Sequence, residues 1–340
     1  MRDAAAPVAE PSRNIAVRWR LESQKSKMLR LLAQQRARRL KYRLIQEQLF
    51  CEDRAAQRHR PCSTREPPMN RFAAIFARPG VTLPLIGMLH APPLPGSPGF
   101  QGDLQAITDR VLHDAQALAE GGADALMLEN FGDVPFYPGR VPAETVAMLT
   151  ALAVAVRQAC PLPLGINVLR NDGLSALAVA VASGAQFIRV NILCGARLTD
   201  QGIIQGIAHD LLRLRRQLAA EHVAILADVD VKHSAALAPR SLEEEARDLV
   251  ERGQADALIV SGGATGDASD PDHLAQVCVA VPGTPVLVGS GATVENVATF
   301  AQAAGFIVGT GLKHGGRVHA AIDVDRVAAF RAALDRLPPR

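Results

Sequence analysis

The sequence predicts an α/β protein, a closed parallel (β/α)8 TIM-type barrel, preceded by a basic extension that is disordered or helical. Three observations carry this expectation. Eight short apolar runs alternate with Ala/Leu-rich helical stretches over residues 80–338, as repeated βα units do. Several runs open directly after Gly122-Ala123-Asp124 or a close cousin: Gly184-Ala185-Gln186, Gln254-Ala255-Asp256 and Ala304-Gly305-Phe306. There a left-handed cap ends the helix and the chain turns at once into the next strand. Finally, residues 285–293 and 305–313 each form an apolar run closed by Gly-Ser-Gly or Gly-Thr-Gly. Paired glycine turns after consecutive strands are what the phosphate site of such a barrel requires. An open doubly wound sheet, the alternative, does not normally place two such turns on its last two strands.

In chain order, the strands are expected at 83–90, 124–130, 163–168, 186–192, 223–231, 256–261, 285–288 and 306–308. Helices are expected near 103–120, 142–159, 173–183, 200–220, 241–252, 271–280, 294–303 and 323–335. The barrel domain is placed at 69–340 and the extension at 1–68.

Composition separates these two parts. Residues 1–68 hold 16 Lys/Arg and 7 Asp/Glu, a net of +9, whereas residues 69–340 hold 21 and 27, a net of −6. Residues 21–50 can form a basic amphipathic helix whose stripe of Leu29, Leu32, Leu40 and Leu44 is broken by Arg36. One reading is an arm that binds RNA or an anionic membrane. The other, favoured because few aromatics are interleaved for base stacking, is a low-order tail or sequence upstream of a start at Met69. RNA binding by the arm is therefore not expected. No apolar run reaches membrane-spanning length, and no apolar leader core follows the N-terminus. The scattered Cys51, Cys62, Cys160, Cys194 and Cys278 form no metal-type spacing and fit a reducing cytoplasm.

Period-2 alternation assigns faces to the strands. In the fifth run Val223, Ile225, Ala227, Val229 and Val231 form an apolar set that faces the helices. Ala224, Leu226, Asp228, Asp230 and Lys232 then point into the barrel and its mouth, with His233 following. Charges on that face are costly unless paired or used. In the fourth run Ile188, Val190 and Ile192 face outward, and Phe187, Arg189 and Asn191 inward. The third contributes Asn167. The second contributes Met127 and Glu129, with Asn130 after them. The first ends at His90, and the sixth at Ser261 and Gly262. In this barrel class the strand C-termini carry the chemistry.

The expected site has three parts. Gly289, Ser290 and Gly291, with Gly309, Thr310 and Gly311, hold a phosphate, and Lys313 either adds charge or points to solvent. His90, Asn130, Asn167, Arg189, Asn191, Ser261 and Gly262 contact the substrate. Asp228 or Glu129 serves as general base and Lys232 or His233 as acid or electrophile, with Asp230 in the same catalytic group. A Schiff base on Lys232 needs a lowered pKa, against which the neighbouring carboxylates push. No cofactor is expected. A divalent metal is an alternative if Glu129, Asp228, Asp230 and His233 converge.

Residues 85–96 (LIGMLHAPPLPG), 129–136 (ENFGDVPF), 165–172 (GINVLRND), 228–233 (DVDVKH) and 259–262 (IVSG) resemble the BtpA/SgcQ family, as do the two closing glycine turns. The resemblance covers about residues 80–335. It implies a ribulose-phosphate-binding type of barrel, and for some members a role in photosystem I biogenesis or stability, peripheral to the thylakoid membrane. Other members resemble partners of sugar-uptake systems. The function expected is binding, and transformation, of a phosphorylated sugar or nucleoside-type metabolite by an isomerase, lyase or hydrolase. The alternative is a non-catalytic assembly factor, marked by an exposed apolar patch away from the mouth. A homo-oligomer and peripheral association with a membrane complex complete the expected partners.

Overall fold

The structure, a computed structural model, describes residues 70–262 and 270–337; the expectations for residues 1–68 lie outside them. Eight parallel strands close into a barrel: β1 (Leu85–His90), β2 (Ala125–Glu129), β3 (Leu164–Asn167), β4 (Phe187–Val190), β7 (Ala224–Val229), β9 (Ala257–Val260), β10 (Val286–Val288) and β11 (Phe306–Val308). Their order around the ring is β1-β11-β10-β9-β7-β4-β3-β2. All eight coincide with the apolar runs, each shorter than or equal to its run.

Helices α1 (Arg71–Phe76), α2 (Leu104–Glu120), α3 (Ala143–Ala159), α4 (Gly173–Ser183), α5 (Ala208–Gln217), α6 (Leu242–Glu251), α7 (Pro271–Ala280) and α8 (Val324–Asp335) are joined by a short 3-10 turn at Val297–Phe300. Side-chain caps start most of them. Asp172 Oδ1 accepts from Ser175 N at 2.9 Å, and Ser241 with Glu244 forms a reciprocal capping box on α6. Both devices satisfy N–H groups that the helix itself leaves bare.

The tripeptides before the strands do more than cap helices. Gly122 and Gly184 take φ of +91° and +74°, and Gln254 takes the same left-handed turn at +52°. The third residue then reaches sideways to the preceding strand. Asp124 Oδ2 accepts from Leu85 N, Gln186 Oε1 from Leu164 N and Asp256 Oδ2 from Ile225 N, at 2.8–2.9 Å. Each satisfies a strand-opening amide that would otherwise have no partner at the barrel floor.

Two elements were not expected. α1 closes the floor: Phe72 and Phe76, with ring centroids 4.9 Å apart, pack beneath the interior side chains Phe187, Ala224 and Ala257. Asn70 and Arg71 tie it to Asp256, through the backbone oxygen and the carboxylate respectively. A small antiparallel sheet, β6 (Gly202–Gln205), β5 (Ala196–Thr199) and β8 (Ser234–Ala236), stands on the C-terminal side of β4 and β7. It takes the first part of the stretch read as one helix over 200–220, so α5 begins only at Ala208. Ile192, Ile204 and Val231 form its own core, while the cross-strand pair Leu198 and Ile203 is exposed.

Face alternation holds along the barrel. Ile188, Val190, Val223, Ile225, Ala227 and Val229 pack outward in the core shared with the helices. Ile86, Met88, Met127, Phe187, Leu226, Ile259, Leu287 and Ile307 fill the interior. Above this apolar filling the inward row turns polar. The strand register sets His90 beside Glu129, Glu129 beside Asn167, and Asn167 beside Arg189.

Candidate active site

That polar row forms the floor of a cavity of about 630 Å3 at the C-terminal ends of the strands. Its volume is in the range of small-molecule sites. His90, Glu129, Arg189, Asn191, Lys232 and His233 line it, as do Gly289, Ser290, Gly291, Gly309, Thr310 and Gly311. Twelve of the residues read from the sequence as site residues thus share one chamber.

The others stand back from it. Asn167 is buried and donates to Glu129 Oε2 at 2.5 Å, orienting that carboxylate. Asn130 accepts from Leu169 N at 2.7 Å and donates to Asp133, so it braces the loops after β2 and β3. Gly262 N donates to Ser290 Oγ at 3.1 Å, holding the β9 and β10 loops together. Ser261 is half-buried beside Gly289, where an added Cβ would meet its Oγ at 2.8 Å.

Asp228 is placed differently from a free base. Arg189 grips it with two hydrogen bonds, Nη2 to Oδ1 at 2.7 Å and Nε to Oδ2 at 3.0 Å, and Asn191 Nδ2 adds a third at 2.6 Å. Its side chain is fully buried, so it orients Arg189 and does not face the cavity. Burial works against the Arg189 charge, but the Asp228 carboxylate overrides it and raises the arginine's pKa. Asp230 leaves the expected face altogether. At φ +48° the chain turns, and the side chain pairs with Arg197, which also holds Glu245 at 3.1 Å. Among the described residues no group of three or more His, Cys, Asp or Glu converges to hold a metal; Asp228 and Asp230 are spent on arginines.

The groups that do face the cavity are electrostatically perturbed. Burial raises the Glu129 pKa, against the opposing pull of Arg189 and Lys232. Burial and the Arg189 charge lower Lys232, with Glu129 and Asp228 pulling the other way. The carboxylates thus act as expected but do not prevail. His90 is held well below its ordinary value, first by burial and then by the Lys313 and Lys232 charges. Its ring stacks on Phe131 at 4.2 Å between centroids, and its Nε2 lies 3.8 Å from Glu129 Oε1.

Two contributors, Arg170 and Phe131, carry no signal of their own in the sequence, and a third, Lys313, is placed differently from the solvent-facing alternative. Arg170, 5% exposed, lines the cavity and donates to Lys232 O at 2.5 Å; it lies within the run 165–172 but was not singled out. Phe131 lies within the run 129–136, beyond the end of β2, where periodicity gives it no face, and it lines the cavity. Lys313 is neither solvent-facing nor a lining residue: it is 1% exposed, with Nζ 3.0 Å from His90 Nδ1 and bonded to Val318 O at 2.5 Å.

The two glycine turns also need refinement. Gly289 N–H is committed to Val260 O at 2.8 Å. What Gly289 contributes is space, because a Cβ there would lie 2.3 Å from the Ile259 side chain. Gly291 takes φ +72°, and Gly311 has its nearest neighbour to a built Cβ at 3.4 Å. Backbone can therefore approach a ligand at these turns without side chains intervening.

The runs 85–96 and 129–136 lock together in space. Leu94 N donates to Asp133 Oδ1 at 2.8 Å, and Gly132 packs against the Pro92-Pro93 backbone so closely that a Cβ would sit 2.4 Å from Pro93 N. The sequence model of the BtpA family matches residues 81–336, the whole of this barrel and its locked loops. The chain belongs to the BtpA family. An uncharacterised protein of Thermococcus kodakarensis is 49% identical over 244 residues, covering 72% of this chain and 92% of that one. The photosystem I biogenesis protein BtpA of Synechocystis is 47% identical over 252 residues, covering 74% and 88%. Among solved structures, a Rubisco-like protein from Rhodopseudomonas palustris shares the fold of this BtpA-family chain, with TM-score 0.51, 14% identity, and coverage of 81% and 70%. Among the described residues no helix is long and apolar enough to cross a membrane.

Proposed function

We propose that this BtpA-family barrel binds a phosphorylated sugar or nucleoside-type metabolite in its mouth and transforms it by proton transfer, as an isomerase or lyase. One observation carries the reading: both glycine turns line the same chamber as Glu129, His90 and Lys232. The turns at Gly291 and at Thr310-Gly311 let backbone approach a phosphate, a ligand suited to such concave backbone. Glu129, whose pKa burial raises above the ordinary carboxylate value, is the general base, since a raised pKa makes a carboxylate the stronger proton acceptor. Neutral His90 supplies an N–H to a developing oxyanion, and Lys232 supports that charge. Relatives of near-equal identity include one named for photosystem I biogenesis and one from Thermococcus kodakarensis. Similarity alone therefore does not single out the assembly role, and the exposed Leu198–Ile203 pair lies on the mouth side rather than away from it.

The test is a thermal-shift comparison of ribose 5-phosphate, fructose 6-phosphate and adenosine monophosphate with their unphosphorylated forms. A phosphorylated compound should raise the melting temperature of the wild type. Gly311→Asp, which has room for its Cβ but brings a negative charge, should abolish the shift. If no phosphorylated compound stabilises the wild type, the reading fails. If one binds but Glu129→Gln leaves its conversion unchanged, binding stands and Glu129 is not the base.

A further inference from the structure

We propose that the barrel mouth carries a second anion subsite at Arg170 and Lys232, across from the glycine turns, so that its ligand bears an anionic group at each end with a hydroxyl beside the second. The inference rests on the glycine turns being the first phosphate site and names the class of metabolite more narrowly.

The order of strands fixes the placement. In the eight-membered ring β3 lies four strands from β10, and β4 four strands from β11. Arg170 follows β3, so it stands opposite Gly289–Gly291 after β10. Arg189, on β4, stands opposite the turn after β11, but its charge is matched by Asp228. Among the described residues the cavity-lining positive charges not so matched are Arg170 and Lys232; Lys232 follows β7, two strands from β10, and the bond from Arg170 Nη2 to Lys232 O holds the two loops together.

Two orphaned polar atoms lie in the wall of this side of the cavity. Arg170 is 95% buried on its 5% exposure, yet its Nε has no hydrogen-bond partner among the described residues. Asn191 is 4% exposed; its Nδ2 is given to Asp228, and its Oδ1 likewise has no partner. Both side chains line the cavity. Buried polar atoms are ordinarily satisfied, and an unmet guanidinium N–H is among the costlier exceptions. The arginine fork suits a carboxylate or phosphate, which it can bind through two parallel bonds. Asn191 follows β4, between the β3 and β7 loops that carry Arg170 and Lys232, and its oxygen can only accept, so a hydroxyl donor beside the second anion suits it. The proposed ligand therefore has an anion at Gly291 and Gly311, a hydroxyl at Asn191, and a second anion at Arg170 and Lys232.

Matched ligands test this. Glycerol 3-phosphate is compared with 3-phosphoglycerate, and fructose 6-phosphate with fructose 1,6-bisphosphate. The first pair adds a carboxylate and the second a phosphate, so the arms also identify the second anion. In at least one pair the member with two anionic groups should bind the wild type about tenfold more tightly, as one charge-assisted pair allows. Arg170→Gln and Lys232→Gln, each first shown to be folded by circular dichroism, should each erase most of that preference while keeping the ligand that has a single anionic group. Crystals soaked in inorganic phosphate, which has no spacer length to match, should show two ions in the mouth of the wild type and one in Arg170→Gln. A single ion at the glycine turns, with no preference within either pair, overturns the second subsite and leaves the first intact. Absence of binding by every phosphorylated ligand overturns the first reading instead, and this one with it.

Discussion

The Lys313 ammonium lies 3.0 Å from His90 Nδ1, and this contact decides which way the histidine presents its proton. An ammonium donates and cannot accept. His90 is kept neutral by burial and by the Lys313 and Lys232 charges. Its Nδ1 must then be the acceptor, and its single N–H is on Nε2, the nitrogen nearer Glu129. Lys313 thus acts on the cavity through His90.

This tautomer is measurable. At pH 7, 15N shifts of His90 should report protonated Nε2 and bare Nδ1. Lys313→Met should mix the tautomers and raise the His90 pKa, because one of the charges that lowers it is gone. A wild-type His90 protonated on Nδ1 would refute the assignment. Burial brings Lys313 down to about 8, with Asp114 and Glu129 opposing and Arg110 assisting. Its folded pKa is therefore below its unfolded value of about 10.4. The native state releases this proton first, so stability contributed at Lys313 rises from pH 8 toward the unfolded pKa. Urea unfolding should show that rise in the wild type and lose it in Lys313→Met.

Asp228 and Asp230 share a strand end, but their removal should have different consequences. Asp228→Asn leaves Arg189 buried without its charge partner, and breaking a buried pair in this way costs about 3–5 kcal/mol. Asp230 is 49% exposed at its side chain. Its bond to Arg197 is accessible to water and salt, so Asp230→Asn should cost no more than about 1 kcal/mol. Urea titrations of both variants decide the matter, and equal losses would contradict the placement of the two carboxylates.

Glu129 should make the protein less stable as pH rises. Burial raises its folded pKa above the unfolded value, so the native state binds the proton more strongly than the unfolded chain. The stabilisation from protonation is complete below the unfolded pKa, about 4.3, and is lost as pH rises through the raised folded value. Glu129→Gln should remove that dependence, leaving the variant more stable than the wild type at pH 7. Gain of stability with loss of conversion is the expected signature of a strained active-site group. A variant less stable at pH 7 would show that the Asn167 bond outweighs desolvation.

The barrel was legible in the sequence because its strands are buried apolar runs bounded by glycine turns, and because face alternation depends only on local period. Hence Phe187, Arg189 and Asn191 face inward as the alternation implies, and Glu129 shares the inward face of Met127. Alternation fails where the backbone leaves extended geometry. Asp230 at φ +48° and His233 at +56° lie beyond the end of β7, and extrapolating the strand through Asp230 sent its carboxylate to the wrong side. Pairing was also invisible: nothing local to 228–233 reveals that Arg189, 39 positions earlier, claims Asp228. The antiparallel sheet escaped because β5, β6 and β8 are three or four residues each, and β5 pairs with β8 although 34 residues lie between Thr199 and Ser234. Arg170 and Lys313 lie outside any strand, where periodicity gives no face.

Gly165 offers the sharpest test of how the interior is filled. It sits on β3 beside Phe187 of β4 in register. A Cβ built on it would lie 2.0 Å from the Phe187 ring, itself wholly buried. Strand residues ordinarily avoid glycine, which adds flexibility and packs nothing. Here the missing side chain is the space into which the phenylalanine folds, one layer beneath Asn167 and Arg189. Gly165→Ala should therefore destabilise the protein by about 1–3 kcal/mol, as overpacking does, despite alanine's advantage in chain entropy. Phe187→Leu alone should also destabilise it, by leaving a void. The two together should lose less than their sum, because the smaller side chain vacates the volume the methyl needs, and residues in contact are where additivity fails. A double-mutant cycle by urea unfolding measures the difference. Strict additivity would mean that the Phe187 ring does not occupy the space above Gly165, and the polar row that rests on it would lose its support.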